Sequence, residues 1–211
     1  MIILIGSEKG GVGKSTLATN IVTFLAAHDK DVILVDADRQ GTSSDWFSER
    51  CETNLPKLEC MSKFDNIKQS LLDLSKRYEY VIVDSQGRDS IELRTGLLAA
   101  DICITPCRPS QADLNTILKM EKLISTAQEI NENMKAFCVL TQSPTNPSIT
   151  EISDAQTCLA EVKGITLLKT IICERKVYRD ALGTGYGVIE LSNEKASNEI
   201  NSLCEEILNG I

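Results

Sequence analysis

Short apolar runs recur along the chain at Ile2–Ile5, Val32–Val35, Val81–Val83, Ile102–Ile104, Phe137–Leu140 and Ile165–Leu168. Each is a compact block rich in Val, Ile or Leu, with little polar alternation. That is the pattern of strands buried on both faces in a parallel sheet. Between them lie stretches with helical spacing, such as Leu114, Ile117, Leu118, Ile124 and Ala127, preceded by Ser110 as a capping residue. Strand alternating with helix predicts an α/β fold: a doubly wound, mostly parallel sheet with helices on both faces, over one domain spanning residues 1–211. The segment Ser143-Pro144-Thr145-Asn146-Pro147-Ser148 reads as a loop before a helix starting near Ile149. At the far end, Glu194 to Leu208 places Ala196, Ile200, Leu203 and Ile207 on one helical face, which predicts a helix packed on the sheet.

Polar residues gather where the apolar runs stop. Gly6 to Ser15 follows the first strand, Asp36 the second, and Asp84 the strand Tyr80–Val83. In an open α/β sheet these strand ends are where a ligand crevice forms. The first of them, Lys9-Gly10-Gly11-Val12-Gly13-Lys14-Ser15-Thr16, has the composition of a phosphate-binding loop. A strand that stops at a glycine-rich turn and restarts as a helix aims backbone N–H groups and a helix N-terminus at one point, which suits a polyphosphate. Lys14 would hold the β and γ phosphates, Ser15 would offer its hydroxyl to Mg²⁺, and the glycines would let the backbone approach. Asp36-Ala37-Asp38 and Asp84 then supply the acidic groups that phosphoryl transfer requires, although a single aspartate at a strand end is also an ordinary turn residue.

Glu8 stands where the ordinary G-x-x-x-x-G-K-[ST] loop has glycine, so the match is to the variant K-G-G-x-G-K-[ST]. This segment resembles the deviant Walker A box of the ParA/MinD family of P-loop ATPases. The resemblance implies that Lys9 reaches across a nucleotide-sandwich homodimer to the partner subunit's phosphates. Asp36-Ala37-Asp38-Arg39-Gln40-Gly41 is similar to the family's Walker A′ segment, and Asp84 to its Walker B aspartate. By that resemblance Asp36 and Asp84 hold waters on Mg²⁺ and Asp38 orients the attacking water. Arg39 replaces the usual proline, and Ser85-Gln86-Gly87-Arg88 replaces the common T-P-P. A GTPase reading of Asp84-Ser85-Gln86-Gly87 lacks the [NT]-K-x-D element it needs downstream, which favours ATP. The backbone near Cys173 to Lys176 and the strand end Thr141-Gln142 are the family's candidate positions for the base.

Charge bears on the partner. Lys and Arg number 22 against 30 Asp and Glu, a net charge of −8, which opposes binding to bulk polyanions and requires any nucleic-acid contact to be local. Between Lys163 and Gly187 the balance reverses, with Lys163, Lys169, Arg175, Lys176 and Arg179 against Glu174 and Asp180. The family resemblance implies a non-specific DNA surface here, across the ATP-bound dimer, and Arg175, Lys176 and Arg179 are its candidates; a solvated helix face is the alternative. Eight cysteines without a C-x-x-C pair read as reduced cytosolic thiols.

The tail from Glu190 to Ile211 carries five glutamates and one lysine, so it is not the basic amphipathic tail of a membrane-bound branch. The expectation is a short ParA-type ATPase, cytoplasmic, nucleoid-associated when ATP-bound, and lacking an N-terminal DNA-reading extension. It would move a plasmid or chromosome with a separate centromere-binding protein that stimulates hydrolysis. The alternative is a positioning ATPase for a protein cargo (a carboxysome, chemoreceptor array or secretion machine) reached through an adaptor. A metabolic P-loop synthetase is a third reading, opposed by Lys9.

Overall fold

The structure, a computed structural model, describes residues 1–146 and 150–209. Seven strands form one sheet in the order β3-β2-β4-β1-β5-β6-β7, with every pairing parallel. They are β1 (Ile2–Ile5), β2 (Val32–Ala37), β3 (Glu59–Ser62), β4 (Tyr80–Ser85), β5 (Ile102–Cys107), β6 (Lys135–Ser143) and β7 (Thr166–Cys173). The helices are α1 (Lys14–Ala27), α2 (Thr42–Cys51), α3 (Lys68–Leu74), α4 (Ile91–Leu97), α5 (Gln111–Gln128), α6 (Glu151–Leu159), α7 (Lys176–Leu182) and α8 (Glu194–Asn209).

Because successive strand residues face opposite sides, each central strand feeds two cores. Ile2 and Leu4 of β1 pack with Ile67, Leu71, Leu93, Ile117 and Met120, under α3 to α6. Ile3 and Ile5 pack with Leu17, Ile21, Trp46, Ile200 and Leu203, under α1, α2, α7 and α8. The expected face of α8 is buried, Ser110 caps α5 by accepting from Asp113 N, and all eight cysteines are unbridged.

The strands differ from the sequence reading in two respects. β3 has no apolar run, because an edge strand with an exposed, half-buried, half-buried, exposed pattern needs none. β6 and β7 extend well past Leu140 and Leu168. The helix start expected near Ile149 lies outside the described residues; the next described helix is α6.

Candidate nucleotide site

β1 ends against a turn that only glycine makes comfortably. Gly11 and Gly13 adopt φ of +74° and +93°, the left-handed region. The loop is held from outside by side chains on other strand ends. Thr141 Oγ1 donates to Val12 O at 2.8 Å, Gln142 Nε2 to Gly11 O at 2.9 Å, and Arg108 Nη2 also to Gly11 O. Gln142 itself has φ of +49°, a strained backbone for a side-chain-bearing residue. Engaging the carbonyls from outside favours a loop whose N–H groups converge on one point, beside the N-terminus of α1. Lys14 is buried, with Nζ 3.3 Å from Lys9 O. Burial pushes its pKa down, while Asp84 and Asp38 oppose that and favour its charge.

The two buried aspartates are in register on adjacent strands, Asp36 of β2 beside Asp84 of β4. α2 starts just after Gly41 and secures both. Ser44 gives its N–H and its hydroxyl to Asp36 Oδ2 at 2.8 and 2.6 Å, and Ser43 Oγ donates to Asp84 Oδ2 at 2.7 Å. Asp84 Oδ1 is buried with no hydrogen-bond partner among the described residues. An orphaned carboxylate oxygen within an all-oxygen set of Ser15, Asp36 and Asp84 fits a hard divalent cation such as Mg²⁺.

Burial pushes the Asp84 carboxyl up to about 6; the nearby Ser15 hydroxyl, the bonded Ser43 hydroxyl and the Lys14 charge oppose this, and Asp36 adds to it. An acid whose pKa is higher folded than unfolded binds more protons in the native state, so the fold loses stability as pH rises through that value. The metal-free protein is therefore expected to gain stability from pH 7 to pH 5. Between pH 7 and pH 5 this is worth roughly 1 kcal/mol, the rest of the effect of the shift coming as pH falls to the unfolded value. Denaturant unfolding at both pH values should show the slope reduced in Asp84→Asn; an unchanged slope would assign it elsewhere.

Lys9 does not extend into solvent. Its Nζ lies 2.9 Å from Asp113 Oδ1 on α5, a carboxylate 3% exposed. Asp38, half-buried, accepts from Gln40 N at 3.0 Å and sits on the turn that ends at Gly41. Arg39 reaches away from the phosphate loop to Asp65 Oδ1 at 2.8 Å and packs over the Phe64 ring.

The expected basic surface is only partly available. The Arg175 guanidinium is bound to Glu199 at 2.6 and 2.9 Å and is mostly covered. Lys176 and Arg179 pair with Asp180 and Glu174, but both pairs are exposed and hold their cations weakly.

Gly10, Gly11, Lys14, Asp38, Gln40 and Gly87 line an open cavity of about 340 Å³. A smaller one of about 120 Å³ continues past Gly13 and Thr16 to Thr141, Gln142 and the segment Ile172–Arg175. Sequence reasoning missed Ser43, Ser44, Gly87, Arg108 and Asp113 as site residues. Of these only the serine pair carried a local signal, its place in the first turn of a helix entered from D-x-D.

A family profile described as the CobQ/CobB/MinD/ParA nucleotide-binding domain matches residues 3–187. The chain belongs to this family. Its sequence is 30% identical over 212 aligned positions to the maintenance of carboxysome distribution protein A of Halothiobacillus neapolitanus, covering 98% of this chain and 95% of the relative. Among solved structures, apo McdA of Cyanothece superposes with a TM-score of 0.80 at 17% identity, covering 98% of each chain. A Borrelia burgdorferi B31 protein described as a putative plasmid partition protein bound to AMPPNP gives 0.74 at 19%, covering 100% and 99%. As a CobQ/CobB/MinD/ParA domain, the chain has its glycine-rich turn, D-x-D strand end and Asp84 at the carboxyl edge of one parallel sheet. No described helix is long and apolar enough to cross a membrane.

Proposed function

We propose that the protein is a Mg²⁺-dependent ParA/MinD-type ATPase that forms a homodimer on ATP and positions a protein assembly of the carboxysome kind through a separate adaptor. The observation that carries the cargo class is the end-to-end similarity to a carboxysome distribution protein, which favours the positioning reading over plasmid partition. Plasmid partition remains the second reading, supported by the likeness in fold to the Borrelia protein.

In this reading Lys14 and the loop N–H groups bind the β and γ phosphates. Ser15, Asp36 and Asp84 would hold Mg²⁺, which supplies charge neutralisation at the transferring phosphoryl group. Asp38, at the rim of the same cavity, orients the attacking water. Lys9 must leave Asp113 before it can reach a partner's phosphates, so its ion pair belongs to the monomer. No side chain at the site is an obvious strong base, so unstimulated turnover is expected to be slow and to rest on positioning.

The test is binding to random-sequence DNA with ATP and Mg²⁺, with ADP, and without nucleotide, at two salt concentrations. ATP-specific, salt-sensitive binding is expected, since a dimer doubles the few phosphate contacts of one subunit. Charge reversal of Lys176 and Arg179 together should abolish it and spare DNA-independent hydrolysis. Unchanged DNA affinity would remove this patch. In cells, loss of the gene should disturb spacing of the protein assembly; increased plasmid loss with normal spacing would select the second reading.

A further inference from the structure

One carboxylate on α8 gathers the whole loop that follows β7. Glu199 Oε2 accepts from Tyr178 Oη at 2.8 Å and from Cys173 N at 3.3 Å. Its Oε1 accepts from Arg175 Nη2 and Nε at 2.6 and 2.9 Å. The Glu199 side chain is 13% exposed, so these bonds form largely out of water, where charge-assisted hydrogen bonds are strongest. The rest of the loop is tied as well, with Glu174 N donating to Ser143 O at 2.8 Å and Tyr178 N to Arg175 O at 3.2 Å.

Cys173, Arg175 and Tyr178 have a second side. All three line the cavity of about 120 Å³ that runs from Gly13 and Thr16 at the start of α1. Glu199 does not line it; it stands behind the wall. The cavity continues from the phosphate loop, and its walls combine apolar Leu17 and Ile172 with polar Thr141 and Gln142, which suits the flat base of a nucleotide whose phosphates lie at Lys14. A planar guanidinium held by two bonds is a fixed wall, whereas a free arginine would sample many rotamers. The single Tyr178 hydroxyl proton goes to Glu199 Oε2 at 2.8 Å, with Ala196 O a weaker, shared acceptor at 3.3 Å, and this keeps the Tyr178 ring in place.

We propose that Glu199 is a positioning residue for base recognition: it sets the loop from Cys173 to Tyr178, and thereby the preference for ATP over GTP and over bare triphosphate, without touching the nucleotide. This rests on the crevice being a nucleotide site. It reassigns Arg175 from a DNA surface to the base end of that site. A site that reads a base through fixed polar groups discriminates strongly, because the wrong base leaves those groups unpaired. A loop released from Glu199 loses that discrimination and leaves the phosphate loop, held by Thr141, Gln142 and Arg108, as it was.

The experiment measures equilibrium binding of ATP, GTP and inorganic tripolyphosphate, each with Mg²⁺, to the full chain and to Glu199→Ala, Glu199→Gln and the exposed control Glu205→Gln. Glu199→Ala is expected to weaken ATP roughly tenfold or more, the loss expected from charge-assisted bonds. Tripolyphosphate affinity should stay within about twofold and the ATP-to-GTP ratio should collapse. Glu199→Gln, which keeps an acceptor but not the charge facing Arg175, should fall between, and Glu205→Gln should match the parent. ATP and tripolyphosphate weakening in parallel would show a general loss of fold and overturn the proposal, as would an unchanged ATP-to-GTP ratio. If Glu199→Ala does not fold, the Gln variant decides by the same two ratios. A parent protein that binds neither ATP nor tripolyphosphate would instead overturn the nucleotide reading itself, and this inference with it.

Discussion

Gly87→Ala is expected to abolish tight ATP binding while leaving the fold standing. Gly87 lies three residues past Asp84, and a Cβ there would sit 2.7 Å from Gly10 Cα, 2.8 Å from Gly10 N and 2.8 Å from Lys14 Nζ. The lysine tip could move, but the Gly10 backbone belongs to a loop fixed by donors from Thr141, Gln142 and Arg108. Relief requires the phosphate loop or the segment after β4 to shift by most of an ångström. A displacement of that size in a positioning site costs about 100-fold. The strain falls at the mouth of the site and not in either core, so unfolding should change by about 1 kcal/mol, at the low end for overpacking. Titration calorimetry with ATP and Mg²⁺, alongside thermal unfolding, checks both halves. ATP affinity close to the parent's would mean that the two loops separate more easily than their contact implies.

That contact shows where the sequence stops being legible. The central strands could be read because burial on both faces leaves an unbroken apolar block such as Tyr80–Val83, and the phosphate loop because its chemistry is contiguous. β3 could not, since an edge strand buried on one side needs only Leu58 and half-covered neighbours. Gly87 looked like part of an altered Walker B segment. Its importance comes from Gly10, which only the pairing of β4 with β1 brings to it. Asp113 and Arg108 likewise meet the phosphate loop from about a hundred positions away, by way of the β5 strand end.

Charge partners are hidden from the sequence for the same reason. Counting charges between Lys163 and Gly187 gives a basic stretch, but the count omits Glu199, which α8 folds back onto Arg175. Lys176 and Arg179 remain on the surface because their partners, four and five residues away, are solvent-exposed pairs. The proposed cargo class rests on end-to-end similarity to a carboxysome distribution protein and on no residue of the nucleotide site.

Arg50→Ala should produce the largest loss of stability among the charged residues. Its guanidinium is 3% exposed and meets both Glu190 oxygens at 2.8 Å, Gly185 O at 3.0 Å and Pro56 O at 3.3 Å. Gly185 can approach so closely only because it lacks a side chain; a Cβ would fall 2.2 Å from Arg50 N, and its φ is +73°. Removing the arginine strands a mostly covered carboxylate and two carbonyls, a defect that costs about 3–5 kcal/mol and lowers the melting temperature by roughly 10 °C in a chain of this size. Arg94 provides the contrast. It grips Asp89 at 2.6 Å through two nitrogens, a shorter contact, yet both side chains are about half exposed, so Arg94→Ala should cost no more than about 1 kcal/mol. If the two variants unfold alike, contact geometry and not burial sets the value of these pairs. The site would feel the first change as well. α2 is latched at one end to residues 185–190 by Arg50, and by Trp46 Nε1 to Tyr186 O at 3.0 Å, while its other end presents Ser43 to Asp84 and Ser44 to Asp36. Loosening the latch should therefore weaken Mg²⁺-dependent nucleotide binding more than nucleotide binding in chelator, a difference that Arg94→Ala should not show.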